Sequence, residues 1–119
     1  MTQRVLIVDD AEDLRSLLRF RMEMTDHLLV VGEAGDGVAA VEQATLLQPD
    51  LVMLDLAMPV MDGLEALSLI RAAVPDVRVI VLSGFNESTM AENAKRAGAD
   101  HYFVKGGSLR DLIALTETW

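Results

Sequence analysis

The chain has 119 residues, the size of one domain, and 51% of them are apolar, enough for a sizeable core that must be aliphatic because only 4% are aromatic. It has no cysteine, which excludes disulfides and thiolate metal sites, and no apolar run of membrane-spanning length. The formal net charge of −9 repels phosphate backbones, so no nucleic acid is expected to bind this domain itself.

Strand-like and helix-like runs alternate along the whole sequence. The N-terminus leads straight into the first apolar run, Val5–Val8, without a signal-peptide pattern, so a soluble cytoplasmic protein is the simplest expectation. Leu14, Leu17, Leu18 and Met22 then mark the apolar stripe of a helix, with Arg15 and Arg19 on its outer face. A second strand-like run covers Leu28–Val31. Gly32, Gly35 and Gly37 follow it as a turn and helix entry, with a spacing that fits neither a dinucleotide fingerprint nor a Walker loop. Val38, Val41, Ala44 and Leu47 mark the second helix. The third strand-like run, Leu51–Leu54, ends on Asp55, and Pro59 and Gly63 shape the loop after it. Leu64, Leu67, Ile70 and Val74 mark a third helix. Val77–Leu82 is the fourth strand-like run, and Met90, Ala94 and Ala97 mark a weaker helix that Gly98 stops. Tyr102–Val104 is the fifth strand. Ser108, with Asp111 three residues on, starts a last helix striped by Leu109, Leu112, Ile113 and Leu115. His27 and His101 have no metal-ligand spacing and read as ordinary.

Runs that are continuously apolar rather than alternating imply strands covered on both faces. Five βα units in this length predict an α/β fold: a doubly wound five-stranded parallel sheet with helices on both faces and right-handed crossovers. Spacing alone does not fix the strand order; by prior, the flavodoxin-like order 2-1-3-4-5 fits best. In that order Asp9-Asp10 lies beside Asp55, at the carboxyl edge where open α/β sheets place their ligands. Three carboxylates gathered there repel one another unless a divalent cation joins them, and hard oxygen ligands suit Mg²⁺. Capping of the next helix is a plainer role for Asp9-Asp10 and is compatible with the first.

Asp9-Asp10 after strand 1, Asp55 after strand 3, Ser83-Gly84 after strand 4 and Lys105 after strand 5 together resemble the CheY-like receiver domains of response regulators in two-component signalling. The resemblance covers essentially the whole chain, residues 1–119, as one receiver domain. It implies that Asp55 is the phosphoacceptor, taking a phosphoryl group from a sensor histidine kinase as an aspartyl phosphate. It also implies Mg²⁺ bound by Asp10, Asp55 and the backbone carbonyl of Ala57, with Asp9 acting mainly through a metal-bound water. Lys105 would pair with Asp55 or its phosphate as a point charge. Ser83 would donate to a phosphoryl oxygen, beside a Gly84 that leaves room for the donor and offers its N–H. Tyr102 would be the switch aromatic, turning inward as Ser83 moves. The plainer alternatives are a solvated lysine, a turn serine and a half-buried strand tyrosine.

Val30-Val31-Gly32-Glu33-Ala34-Gly35-Asp36-Gly37 and Lys105-Gly106-Gly107-Ser108 resemble receivers attached to LuxR-type helix-turn-helix transcription regulators. That implies control of transcription through a DNA-binding domain outside these residues, and favours a receiver fragment over a natural single-domain protein. Many receivers have proline after the lysine; Gly106-Gly107 here disfavours a cis Lys105–Gly106 bond and should loosen the loop. Ala57 and Phe85 stand where the family tunes phosphate lifetime. Ala57 cannot orient an attacking water and Phe85 can shield the site, so slow self-dephosphorylation is expected. Phosphorylation should shift an existing equilibrium. Its output surface, around Met90–Ala97, Tyr102 and Leu109–Leu115, could support a homodimer. No membrane contact is expected, and no enzymatic activity beyond self-phosphorylation from a phosphodonor and its slow reversal. Two other functions compete. An aspartate-nucleophile phosphatase would want a second acid where Ala57 stands. A phosphorylation-independent receiver-like interaction module would have no use for the intact site residues.

Overall fold

An uninterrupted aliphatic strand is stable only where both of its faces are covered, and the computed structural model covers them with helices. It describes residues 2–56, 58, 61–84 and 88–117, the side chains of 88–90 excepted. Among these, strands β1 (Gln3–Val8), β2 (Leu28–Ala34), β3 (Leu51–Asp55), β4 (Arg78–Ser83) and β5 (His101–Val104) alternate with helices α1 (Glu12–Glu23), α2 (Gly37–Leu47), α3 (Gly63–Ala73), α4 (Ser88–Arg96) and α5 (Leu109–Thr116). The strands form one parallel sheet in the order β2-β1-β3-β4-β5, which bears out the doubly wound expectation.

The period-two alternation of strand side chains sorts the core into two layers. Leu6, Val8, Val52, Leu54, Val79 and Val81 face one side, with buried Ala40 and Ala44 of α2, Leu67 and Ile70 of α3 and Ala94 of α4. Val5, Ile7, Leu51, Met53, Ile80 and Leu82 face the other, against Leu18 and Met22 of α1 and Leu112 and Ile113 of α5. The same parity directs the residues at the strand ends. Asp9, Asp55 and Lys105 follow the α1/α5 side, whereas Ser83 and Tyr102 follow the α2/α3/α4 side.

The helix faces depart in two places from the apolar stripes. Val38 is exposed, and α2 buries Gly37, Ala40 and Ala44 instead. Small residues let this helix lie close to the sheet, and a large apolar residue beside them is left outside. Leu17 of α1 is likewise half exposed, while Leu18 and Met22 carry the contact. Strand β2 runs on through Gly32 to Ala34, with a register shift opposite Val5 and Leu6. Ala57, Pro59, Phe85 and Trp119, and the side chain of Met90, lie outside the described residues.

Side-chain caps mark the starts of α2, α3 and α5, whereas α1 starts at Ala11 with no side-chain cap, so neither Asp9 nor Asp10 caps it. Asp36 accepts from the Ala39 N–H at 2.8 Å, Asp62 from Glu65 at 2.9 Å and Ser108 from Arg110 at 3.2 Å. Ser108 therefore does cap α5, through a bond two residues on. His27 is structural: its Nε2 lies 2.8 Å from Oγ1 of the buried Thr116, joining the start of β2 to the end of α5.

Candidate functional site

The parallel register builds the site. Val8 pairs with Leu54, so Asp9 and Asp55 leave the β1–β3 pair side by side. Asp55 itself pairs with Leu82, and Ser83 with Val104, which brings the ends of β4 and β5 to the same edge. One carboxylate oxygen from each of Asp9, Asp10 and Asp55 lies within 4.8 Å of the others. Asp9 and Asp55 are 0% and 1% exposed, and Asp10 is open to solvent. Lys105 reaches over both buried acids, its Nζ 2.9 Å from Asp9 Oδ2 and 3.2 Å from Asp55 Oδ1. The solvated-lysine alternative therefore does not hold.

Burial pulls the Lys105 ammonium toward neutrality. Its contacts with Asp9 and Asp55 outweigh that pull and raise its pKa above the ordinary 10.5. Three carboxylates and one ammonium still leave an excess of negative charge at the site. Asp9 Oδ2 has the ammonium at ion-pair distance but accepts no well-directed hydrogen bond. Hard oxygen donors, excess negative charge and such a buried acceptor together suit a divalent cation, so the residues fit a metal.

Asp9 is held from several directions. Its N–H donates to the Ala34 carbonyl at 3.1 Å, its Oδ1 accepts from the Ala11 N–H at 2.8 Å, and its own carbonyl accepts from Arg15 Nη1 at 2.6 Å. Asp55 is held by a different device. The Gly63 N–H donates to the Leu56 carbonyl at 3.0 Å, which closes the loop after β3. A Cβ on Gly63 would lie 2.4 Å from Leu56 Cα and 2.7 Å from the Asp55 carbonyl oxygen, so only glycine permits this return.

Ser83 is 2% exposed at the end of β4, and its carbonyl accepts from the Lys105 N–H at 2.6 Å. Tyr102, paired with Val81, is half-buried against the core layer that α4 joins. Among the described residues nothing lies within 4 Å of where a Cβ on Gly84 would stand. No cis peptide occurs among the described residues; Lys105–Gly106 is trans, and Gly106 sits at a φ of +94°. Sequence reading placed Arg15 and Arg19 on the outer face of α1. They instead fold onto β2, where Arg15 Nε lies 3.3 Å and Arg19 Nε 2.6 Å from the carboxylate of Glu33.

A family model for the response regulator receiver domain matches residues 5–117. The response regulator protein VraR of Staphylococcus aureus is 38% identical over 112 residues, covering 94% of this chain and 54% of VraR. The chain thus spans about half the length of the curated relatives it matches. The signal receiver domain of the putative response regulator NarL from Mycobacterium tuberculosis superimposes with a TM-score of 0.92 at 28% identity, covering 98% of this chain and 94% of that one. A LuxR-family two-component response regulator from Aurantimonas sp. SI85-9A1 gives 0.93 at 30% identity, covering 99% and 84%. With strand order, strand-end acids and lysine all in place, the chain belongs to the response-regulator receiver family of phosphorylation-based two-component signalling, and its likenesses include receivers of LuxR-type regulators.

Proposed function

We propose that residues 1–119 act as one receiver domain in which Asp55 accepts a phosphoryl group from a phosphohistidine of a sensor kinase, in the cytoplasm. The observation that carries this reading is the ammonium of Lys105 poised over two buried carboxylates at the sheet edge. A carboxylate oxygen of Asp55 attacks phosphorus, the donor's N–P bond breaks, and its electron pair returns to the imidazole nitrogen, which takes up a proton. Lys105 stays close, a fixed positive charge for the oxygens of the transferring group. Asp9, Asp10, Asp55 and the Ala57 carbonyl would hold Mg²⁺, which when bound neutralises charge on those oxygens. Hydrolysis reverses the modification: water adds to phosphorus, the acyl phosphate bond breaks and the Asp55 carboxylate returns. Ala57 offers that water no polar side chain, which supports a long-lived phosphate.

Ser83 and Tyr102 are proposed to report the modification. Both follow the α2/α3/α4 side of the sheet, so a hydroxyl drawn toward phosphate empties space on the side where Tyr102 lies. The proposed output is control of transcription, through homodimerisation of a longer regulator. Incubation with acetyl phosphate and Mg²⁺, followed by intact mass, tests the reading. One added phosphoryl group, dependent on Mg²⁺ and lost in Asp55→Asn, is expected. A gain that persists in Asp55→Asn overturns Asp55 as acceptor.

A further inference from the structure

We infer that Arg15, braced by Glu33, is a positioning residue for the metal site: its guanidinium fixes the Asp9 peptide and so sets the affinity for a divalent cation. The inference rests on the Mg²⁺ reading above.

Arg15 bonds both to the peptide of a site carboxylate and to a neighbouring strand. Nη1 donates to the Asp9 carbonyl at 2.6 Å, and Nε pairs with Glu33 Oε1 at 3.3 Å. Glu33 is in turn gripped on its other oxygen by Arg19 Nε at 2.6 Å. The hydrogen bond that Arg19 donates to Glu33 raises the Arg19 pKa above its ordinary value, with burial opposing it, so the guanidinium keeps its charge. A planar fork is needed to serve two acceptors in different directions; a lysine ammonium offers only a point charge. The fork also has space reserved for it. A Cβ at Gly35 would stand 3.3 Å from Arg15 Nη1, so the residue after Ala34 is one without a side chain to crowd the guanidinium.

The strand beneath completes the frame. Ala34, next to Glu33, accepts from the Asp9 N–H. Both backbone groups of Asp9 are therefore held from β2, the N–H by backbone and the carbonyl through Arg15. The Asp9-Asp10 peptide links two of the three carboxylates, so a tilt of it shifts both relative to Asp55. Partners of this kind orient a metal's ligands without touching the metal, and removing one weakens binding by about tenfold.

The sign of the effect separates positioning from charge. Arg15 is a cation near a cation site, so as mere charge its loss would tighten Mg²⁺ binding. As a positioning device its loss loosens it. The test is Mg²⁺ titration of the 119-residue chain, followed by amide chemical shifts, for wild type, Arg15→Gln, Arg15→Lys and Gly35→Ala. Asp55→Asn serves as the site control, and melting in chelator checks each fold. We expect about tenfold weaker binding in Arg15→Gln, a weakening also in Arg15→Lys although the charge is kept, and a smaller one in Gly35→Ala. Gly35→Ala leaves the arginine and its charge in place, and so carries the test if the Arg15 variants do not fold. Unchanged or tighter binding in the folded variants, with wild type binding and Asp55→Asn not, overturns the positioning role alone. No Mg²⁺ binding by wild type, or equal binding by Asp55→Asn, overturns the metal reading and the positioning role with it.

Discussion

Lys105 carries the most electrostatic work of any single residue in the site. It is the cation shared by two acids that are 0% and 1% exposed, and its own side chain is 29% exposed. Removing one partner of a fully buried pair costs roughly 3–5 kcal/mol. For this partly exposed group, Lys105→Met should cost about 2 kcal/mol in metal-free protein, measured by urea denaturation, and Mg²⁺ should restore most of it. The raised pKa fixes the pH window. The folded-state value lies above the unfolded 10.5, so the contribution of Lys105 is complete below that pH and is lost as pH rises through the folded value. The stability gap between wild type and Lys105→Met should therefore be flat from neutral pH to about pH 9 and close on the alkaline side; a gap that stayed open once the lysine had lost its proton would contradict the pairing. The strand-end acids were legible in the sequence because they end apolar runs, and Ser83 and Lys105 through the resemblance to receiver domains. Arg15 was not. A helix periodicity says which face is polar, but it cannot say that a polar side chain turns back onto the Glu33 of a strand eighteen residues away.

Among the elements, the loop from β3 to α3 is the one the site depends on. Gly63→Ala would drive a Cβ into the backbone of Asp55 and Leu56 at 2.7 and 2.4 Å. Backbone cannot give way as a flexible side chain does, so the cost should be about 2–3 kcal/mol, with phosphoryl acceptance falling as Asp55 shifts. Gly106→Ala faces open space but a φ of +94°, and should cost about 1 kcal/mol. Equal losses at the two positions in urea denaturation would refute the crowding argument. The strands were readable because burial on both faces leaves continuous aliphatic runs, whereas the inner face of α2 was not. Its contact side is Gly37, Ala40 and Ala44, and hydropathy weights the larger Val38, which the fold leaves exposed. The extension of β2 to Ala34 was also missed, because Gly32 and Glu33 interrupt the apolar run.

For the whole molecule, one sheet separates the side of the proposed phosphoacceptor from the side of the proposed reporters. By strand parity Asp9, Asp55 and Lys105 follow the α1/α5 layer, and Ser83 and Tyr102 follow the opposite one. On the proposed roles, signalling would need a change that crosses the sheet at its carboxyl edge, rather than a new fold. Phosphorylation should move amide resonances along β4, α4 and β5 while leaving β2 nearly unchanged; equal shifts throughout would argue for global rearrangement. At ten times its dissociation constant Mg²⁺ should add about 1.4 kcal/mol of stability to wild type and little to Asp55→Asn, read as a shift in melting temperature. No helix among the described residues is long and apolar enough to cross a membrane. Asp55 is proposed as the carboxylate that takes the phosphoryl group. Borohydride reduction of phosphorylated protein converts an aspartyl phosphate to homoserine, and peptide sequencing by tandem mass spectrometry locates it. Homoserine at position 55 alone, formed only when Mg²⁺ was present, is the predicted result; homoserine at position 9 or 10, or none in protein that had gained phosphate, would contradict it.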